Sequence, residues 1–261
     1  MYVGEHILAE VSIRNESKFD LDMLKFVCLV RSAPPKTDGI AFELVDQNGH
    51  YVEPGVMEEY GGYAREGEDC IRLKPAETIT GVVDIQEEHG FHLPRSGKYK
   101  LRVLLFYKRE RFSSNTIALN IVEIDKDDLI NPRVLTVKRM AWHEKGWHET
   151  LLVGIVPDRD NRGTVVVIRK DKDGNTKGTI RVGQTSQGSQ LSAEADGAEK
   201  VHILVSRPGG QQTYSVICLS PQRVLSSKTF DDNKKRGLQK SDDGNVSVVI
   251  GDERTRETGG K

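Results

Sequence analysis

The 261 residues (29.2 kDa) are enough for one large domain or two ordinary ones, and a 36% hydrophobic content is enough to build a real core. Lys and Arg number 38 against 39 Asp and Glu, a formal net charge of −1, so no global field draws nucleic acid or an anionic membrane. No run approaches the ~20 apolar residues that a membrane helix needs, and Met1 leads into Tyr2-Val3-Gly4-Glu5, so the chain as given is expected neither to insert into a membrane nor to carry an export signal.

In chain order, strand patterns dominate. His6–Ile13 and Tyr99–Leu104 alternate apolar and polar residues with period two. Seven short strands are predicted over 6–13, 24–30, 40–46, 70–74, 78–85, 98–107 and 115–124. Turn residues separate them, among them Asn48-Gly49, a pair that supplies the positive φ of a type I′ hairpin turn. No segment longer than about two turns shows helical periodicity, so the fold class is all-β. This spacing suits a sandwich in which two sheets bury alternate residues against each other. Three cysteines, Cys28, Cys70 and Cys218, are too scattered for a disulfide scaffold or a zinc site and read as small apolar residues, a Cys28–Cys70 bridge being the alternative.

Gly4-Glu5-His6-Ile7, Ile13-Arg14-Asn15-Glu16-Ser17, Phe42 to Gly49, Leu73-Lys74-Pro75-Ala76-Glu77-Thr78 and Leu93-Pro94-Arg95-Ser96-Gly97-Lys98-Tyr99 follow one another in an order that resembles bacterial immunoglobulin-like domains. These are the domains of the intracellular proteinase inhibitor family and of accessory parts of larger exported proteins. The resemblance covers residues 1–124 and implies an immunoglobulin-like sandwich; for function it implies loops at one end that meet a protease, with no residue carrying that role by motif.

Residues 125–134 are polar, end in Asn131-Pro132 before Arg133-Val134, and are predicted to be a linker. The charge changes sign there: residues 1–128 hold 16 Lys and Arg against 23 Asp and Glu, a net −7, and the rest hold 22 against 16, a net +6. Within 135–251, Leu151–Pro157 followed by Gly163–Ile168 recurs as Val201–Pro208 followed by Gln212–Ile217, an offset of about 50 residues that is near the period of propeller blades. A third start, Asp243–Ile250, mirrors Asp196-Gly197 before the second copy. The second half is thus expected to be a β-meander, either part of a propeller or a second sandwich, with a disordered tail over 252–261.

Two stretches stand out as candidate sites. The acidic insertion Gly55–Asp69 offers Glu58, Glu59, Tyr60 and Tyr63, aromatic and charged contact surface on a glycine-rich loop, and is a candidate binding loop. The repeated Trp-His-Glu of Trp142-His143-Glu144 and Trp147-His148-Glu149 has its histidines five apart, which spoils the i, i+4 spacing of a helical zinc site. It reads as an interdomain turn with packed tryptophans, or as a surface metal or ligand site in which His143 and His148 converge with Glu144 or Glu149. Asp158–Gly163 and Asp171–Asn175 resemble fragments of calcium loops but lack the full oxygen set and read as hairpin turns. The basic runs Lys108–Arg111 and Asn233–Lys240 read as solvated turns.

Neither a nucleophile elbow nor a phosphate or dinucleotide loop is found, and no catalytic residue, metal or cofactor is assigned. The expected function is non-catalytic: a β scaffold that presents loops to a protein or carbohydrate partner. Protease inhibition by the first half, or an accessory role beside a larger exported enzyme, are the alternatives.

Overall fold

The computed structural model describes residues 1–24, 39–53, 70–85, 95–107, 110–139, 147–158, 160–220, 222–232 and 234–251. Its regular structure is antiparallel β-sheet, with a single 3-10 turn at Lys126–Asp128 among the described residues. The chain divides into two compact units, Met1–Glu123 and Ile124–Lys261.

In the first unit β1 (Leu8–Arg14) pairs with β5 (Thr78–Asp84), and β2 (Leu21–Leu24) with β4 (Cys70–Leu73). Asn15 joins the two ladders. Its N–H donates to Glu77 O at 2.9 Å and its carbonyl accepts the N–H of Ala76, a residue at φ 62°. The side chain is completely buried. Nδ2 donates to the carbonyls of Phe19 and Leu73, both at 2.8 Å, and Oδ1 accepts from the Ser17 N–H at 2.9 Å. A buried amide with its donors and acceptor matched costs little to desolvate, so Ile13–Ser17, which closes a strand in the sequence, is an internal corner.

The second sheet is built on the eleven residues of β6 (Gly97–Tyr107). One edge of β6 pairs with β3 (Gly39–Asp46), and the other with β8 (Ile117–Ile121) near its start and with β7 (Glu110–Ser113) near its end. Ile7, Ala9, Val83 and Ile85 from one ladder and Phe42, Leu44, Leu101 and Ile121 from the other share one core. Tyr99 sits in that core and turns its hydroxyl back to donate to Arg95 O at 3.0 Å; burial pushes the phenol's pKa up. Of the predicted strands, 24–30 falls almost wholly outside the described residues.

The second unit is a run of meanders. The strands β9 (Ile130–Arg139), β10 (Trp147–Pro157), β11 (Arg162–Lys170) and β12 (Thr176–Ser186) form one four-stranded sheet. Four more, β13 (Gln190–Ala195), β14 (Lys200–Ser206), β15 (Gln212–Leu219) and β16 (Gln222–Phe230), form the next, and β17 (Arg236–Lys240) with β18 (Val246–Ile250) begins a third. First strands lie on first strands, β9 on β13 and β13 on β17, while the last strands β12 and β16 also meet. The two four-stranded sheets therefore pack against each other. Leu151, Val153, Val165 and Val167 of the first sheet and Ala193, Val201, Ile203 and Ile217 of the second form the shared core. The repeat read in the sequence is thus one four-stranded sheet: β10 and β11 correspond to β14 and β15.

Residues 125–134 differ from the expected linker. They contain the 3-10 turn and the start of β9, and Ile124 and Leu129 are buried. The reason is apolar contact: a Cβ on Gly154 would lie 2.9 Å from Leu129 Cβ, so the glycine's missing side chain makes room for Leu129 on β10. The β9–β10 register slips there, between Val153 and Ile155.

One turn form closes hairpins in both units. Asp46 N–H donates to His50 O, Gly49 N–H returns to Asp46 O, and Asp46 Oδ1 accepts from the N–H groups of Asn48 and His50. Gly49 has φ 85°, whereas Asn48 is not left-handed, so this is a type I turn with a glycine bulge and not the expected type I′. Asp171–Gly174, Arg207–Gly210 and Ser241–Gly244 repeat the turn's backbone bonds. In Asp158–Asn161 and Asp196–Glu199 the outer backbone bond is the same, and the left-handed place is taken by Asn161 (φ 55°) and Glu199 (φ 58°).

Candidate binding cleft

Of the candidate residues, Glu58, Glu59, Tyr60 and Tyr63, together with Trp142 and His143, lie outside the described residues, as do Cys28 and the tail 252–261. The rest of the Trp-His-Glu repeat belongs to β10, where Trp147 pairs with Arg139 and His148 with Lys138 across the β9–β10 ladder. His148 is exposed. Glu149, next along the strand, is buried and holds Arg169 of β11 in a bidentate pair, 2.7 and 3.0 Å, while Arg169 also donates to Leu219 O of the second sheet at 3.4 Å. This end of the repeat is committed to structure.

The calcium-like fragments are hairpin turns, as the sequence predicts. Asp171 spends its carboxylate on the N–H groups of Asp173 and Asn175, the Asn175 amide and Lys177 Nζ. Burial alone would raise its pKa, and these donors together bring it down to about 2. The basic run 234–240 is not a solvated turn. Arg236 begins β17, forks onto Asp232 with two 2.6 Å bonds and lies 4.0 Å over the Phe230 ring, and Lys240 Nζ donates to Ala195 O. Cys218 is half-buried and its thiol donates to Ser220 O.

Two polar clusters go beyond the sequence reading, which took Asp158–Gly163 as a turn and did not bring it together with residues 186–189. The first is a relay inside the second sheet. His202 Nε2 lies 3.1 Å from Asp196 Oδ2, and Nδ1 lies 2.6 Å from the Tyr214 hydroxyl, both within hydrogen-bond distance. His202 is buried. Burial pushes Asp196 up, but the His202 donor and the N–H groups of Lys200 and Ala198 outweigh it and hold the carboxyl below its usual value; burial and the Asp196 charge push Tyr214 up. The relay ties the β13–β14 turn to two strands and is architecture.

The second cluster is a cleft of about 60 Å³ at one end of the first sheet, where the β10–β11 turn meets the β12–β13 connection. Its floor is Ile130, Ile155 and Pro157, and its rim includes Asp158, Asn161, Arg162, Ser186, Gln187 and Ser189. The strands place these groups: Arg162 stands opposite Ser186 in the β11–β12 ladder, so the turn before β11 and the turn after β12 emerge side by side. The Gln187 N–H bonds Asn161 O across them at 2.7 Å. Below, the buried hydroxyls of Thr185 and Ser189 bond each other at 2.7 Å, and Asn131 Nδ2 holds Ser189 O at 3.1 Å. Asn131 (φ 52°), Asn161 (φ 55°) and Gly188 (φ 82°) all take left-handed backbone around this one cleft. The exposed rim side chains Asn161, Arg162 and Gln187 are thus carried on a backbone already fixed by hydrogen bonds.

No known protein family, curated protein or solved structure matches the chain. Among the described residues no helix is long and apolar enough to cross a membrane.

Proposed function

We propose that this chain is a non-catalytic binding protein in which two β scaffolds present loops to a protein or carbohydrate partner. The observation that carries the reading is the cleft: exposed hydrogen-bonding side chains stand on two turns that the Gln187–Asn161 and Asn131–Ser189 bonds lock together. A rigid polar surface of this kind gains affinity because little freedom is lost on binding. The acidic segment Gly55–Asp69 is the second candidate surface. The test is to capture a partner on immobilised full-length chain, purify it, and measure its rebinding to Asn161→Gly/Gln187→Ala and to a chain lacking residues 55–69. The reading expects at least a tenfold loss in one of the two; binding unchanged in both overturns it.

A second reading, protease inhibition by an immunoglobulin-like first unit, is favoured by the Tyr99 to Arg95 hydrogen bond at the start of β6. It is the type of corner tie that immunoglobulin-like sandwiches share. Assay of residues 1–128 against serine and cysteine proteases tests it, and no inhibition at micromolar concentration ends it.

A further inference from the structure

The chemistry of the cleft narrows what it takes. Among the described residues the rim holds one carboxylate, Asp158, and one guanidinium, Arg162, so these supply neither the surplus positive charge that anions need nor the set of carboxylates that a hard cation needs. The apolar floor is only Ile130, Ile155 and Pro157, too little to hold a hydrophobic group by area. A volume of about 60 Å³ is several times the roughly 10–15 Å³ that admits one water and far below the hundreds of Å³ of a cofactor pocket. The site therefore suits part of a small, neutral, polar ligand. Asp158, Asn161, Arg162 and Gln187 share one property: each ends in a planar group with two hydrogen-bonding atoms side by side. Such groups match adjacent hydroxyls, which accept and donate in pairs, while the C–H face of a sugar ring suits a shallow aliphatic floor.

We propose that the cleft between the β10–β11 turn and the β12–β13 connection binds a single neutral sugar residue, which rests on the proposed role as a binding scaffold and names the ligand class of that site. Asn161 and Gln187 supply the amides, Ile155 and Pro157 the floor, and the fixed backbone sets their spacing. Full-length chain is titrated by calorimetry and by saturation-transfer NMR with glucose, galactose, mannose, xylose and N-acetylglucosamine, each to 20 mM. The expected result is saturable binding of at least one at millimolar or tighter affinity. Asn161→Gly keeps the left-handed backbone while removing the amide, and Gln187→Ala truncates an exposed side chain; each is expected to weaken binding at least tenfold at unchanged melting temperature. No binding by any of the five sugars, or binding indifferent to both variants, overturns the proposal. Either outcome leaves the rebinding experiment with a captured partner free to succeed or fail separately. A captured protein whose binding is lost in Asn161→Gly while no sugar binds overturns the sugar and keeps the scaffold.

Discussion

The N–H of Gly197 donates to the carbonyl of Gly244 at 3.2 Å, so the first hairpin turns of the second and third sheets touch although they lie almost one repeat apart in sequence. The contact fixes the stacking at one end of the unit, and Lys240 Nζ on Ala195 O continues it along β13. The opposite end carries the cleft. What the stack provides is a rigid base from which short turns project, and the predictions that follow separate the base from the turns.

Asn15 is the corner on which the first unit bends. Asn15→Ala leaves the Leu73 carbonyl buried without its donor and frees the Ser17 N–H, and a buried unsatisfied group costs about 1–3 kcal/mol. Urea unfolding of residues 1–128 or of the full chain is expected to show a loss of about 3 kcal/mol, against less than about 0.5 kcal/mol for a surface change such as Glu10→Gln.

The Glu149–Arg169 pair predicts non-additivity. Arg169→Met removes the bidentate partner of a buried carboxylate and is expected to cost about 3–5 kcal/mol, while the double replacement Glu149→Met/Arg169→Met costs markedly less, because both charges of the pair leave together. A double-mutant cycle by chemical denaturation reads the difference.

Gly163 starts the strand beside the cleft, and a Cβ there would lie 2.4 Å from Ile155 Cγ2 and 3.2 Å from Val156 O. Ile155 is a buried member of the core, so the clash must be met by shifting packed side chains. Gly163→Ala is expected to cost about 1–3 kcal/mol by overpacking, whereas Gly183→Ala, which meets nothing within 4 Å, stays within about 0.5 kcal/mol of the parent in thermal unfolding.

Acid is expected to weaken the second unit in a defined window. The Arg236 fork lowers Asp232 to about 2, and turn donors and Lys177 lower Asp171 to about 2 against their burial, both from 3.8. A carboxyl whose pKa is depressed in the folded state adds stability that is complete above its unfolded value and fades as pH falls through the folded one. Urea midpoints should therefore hold above about pH 5 and decline between about pH 4 and 2. In Asp171→Asn that decline is shallower.

How much of this was legible in the sequence depends on what each residue's signal shares with its neighbours. The four-stranded repeat was legible because Leu151–Val153 and Ile203–Val205 are apolar runs about 50 residues apart, and a buried strand cannot avoid that pattern. The β7 strand was not, because Glu110-Arg111-Phe112-Ser113 is exposed throughout and reads as a hairpin tip. Asn15 looked like a turn residue, since an asparagine next to Glu16-Ser17 gives no sign of its burial. The cleft was invisible for a different reason. Asn161 and Gln187 become neighbours only through the β11–β12 register, and each alone is ordinary turn composition.

The most direct test of the account is where a ligand perturbs the backbone. Amide chemical shifts of the isotope-labelled full chain, recorded while titrating whichever sugar of the panel binds best, are predicted to move at 158–163 and 186–189 and to stay fixed elsewhere. Shifts confined to residues 55–69 or 140–148, or no shifts with any sugar, would contradict it.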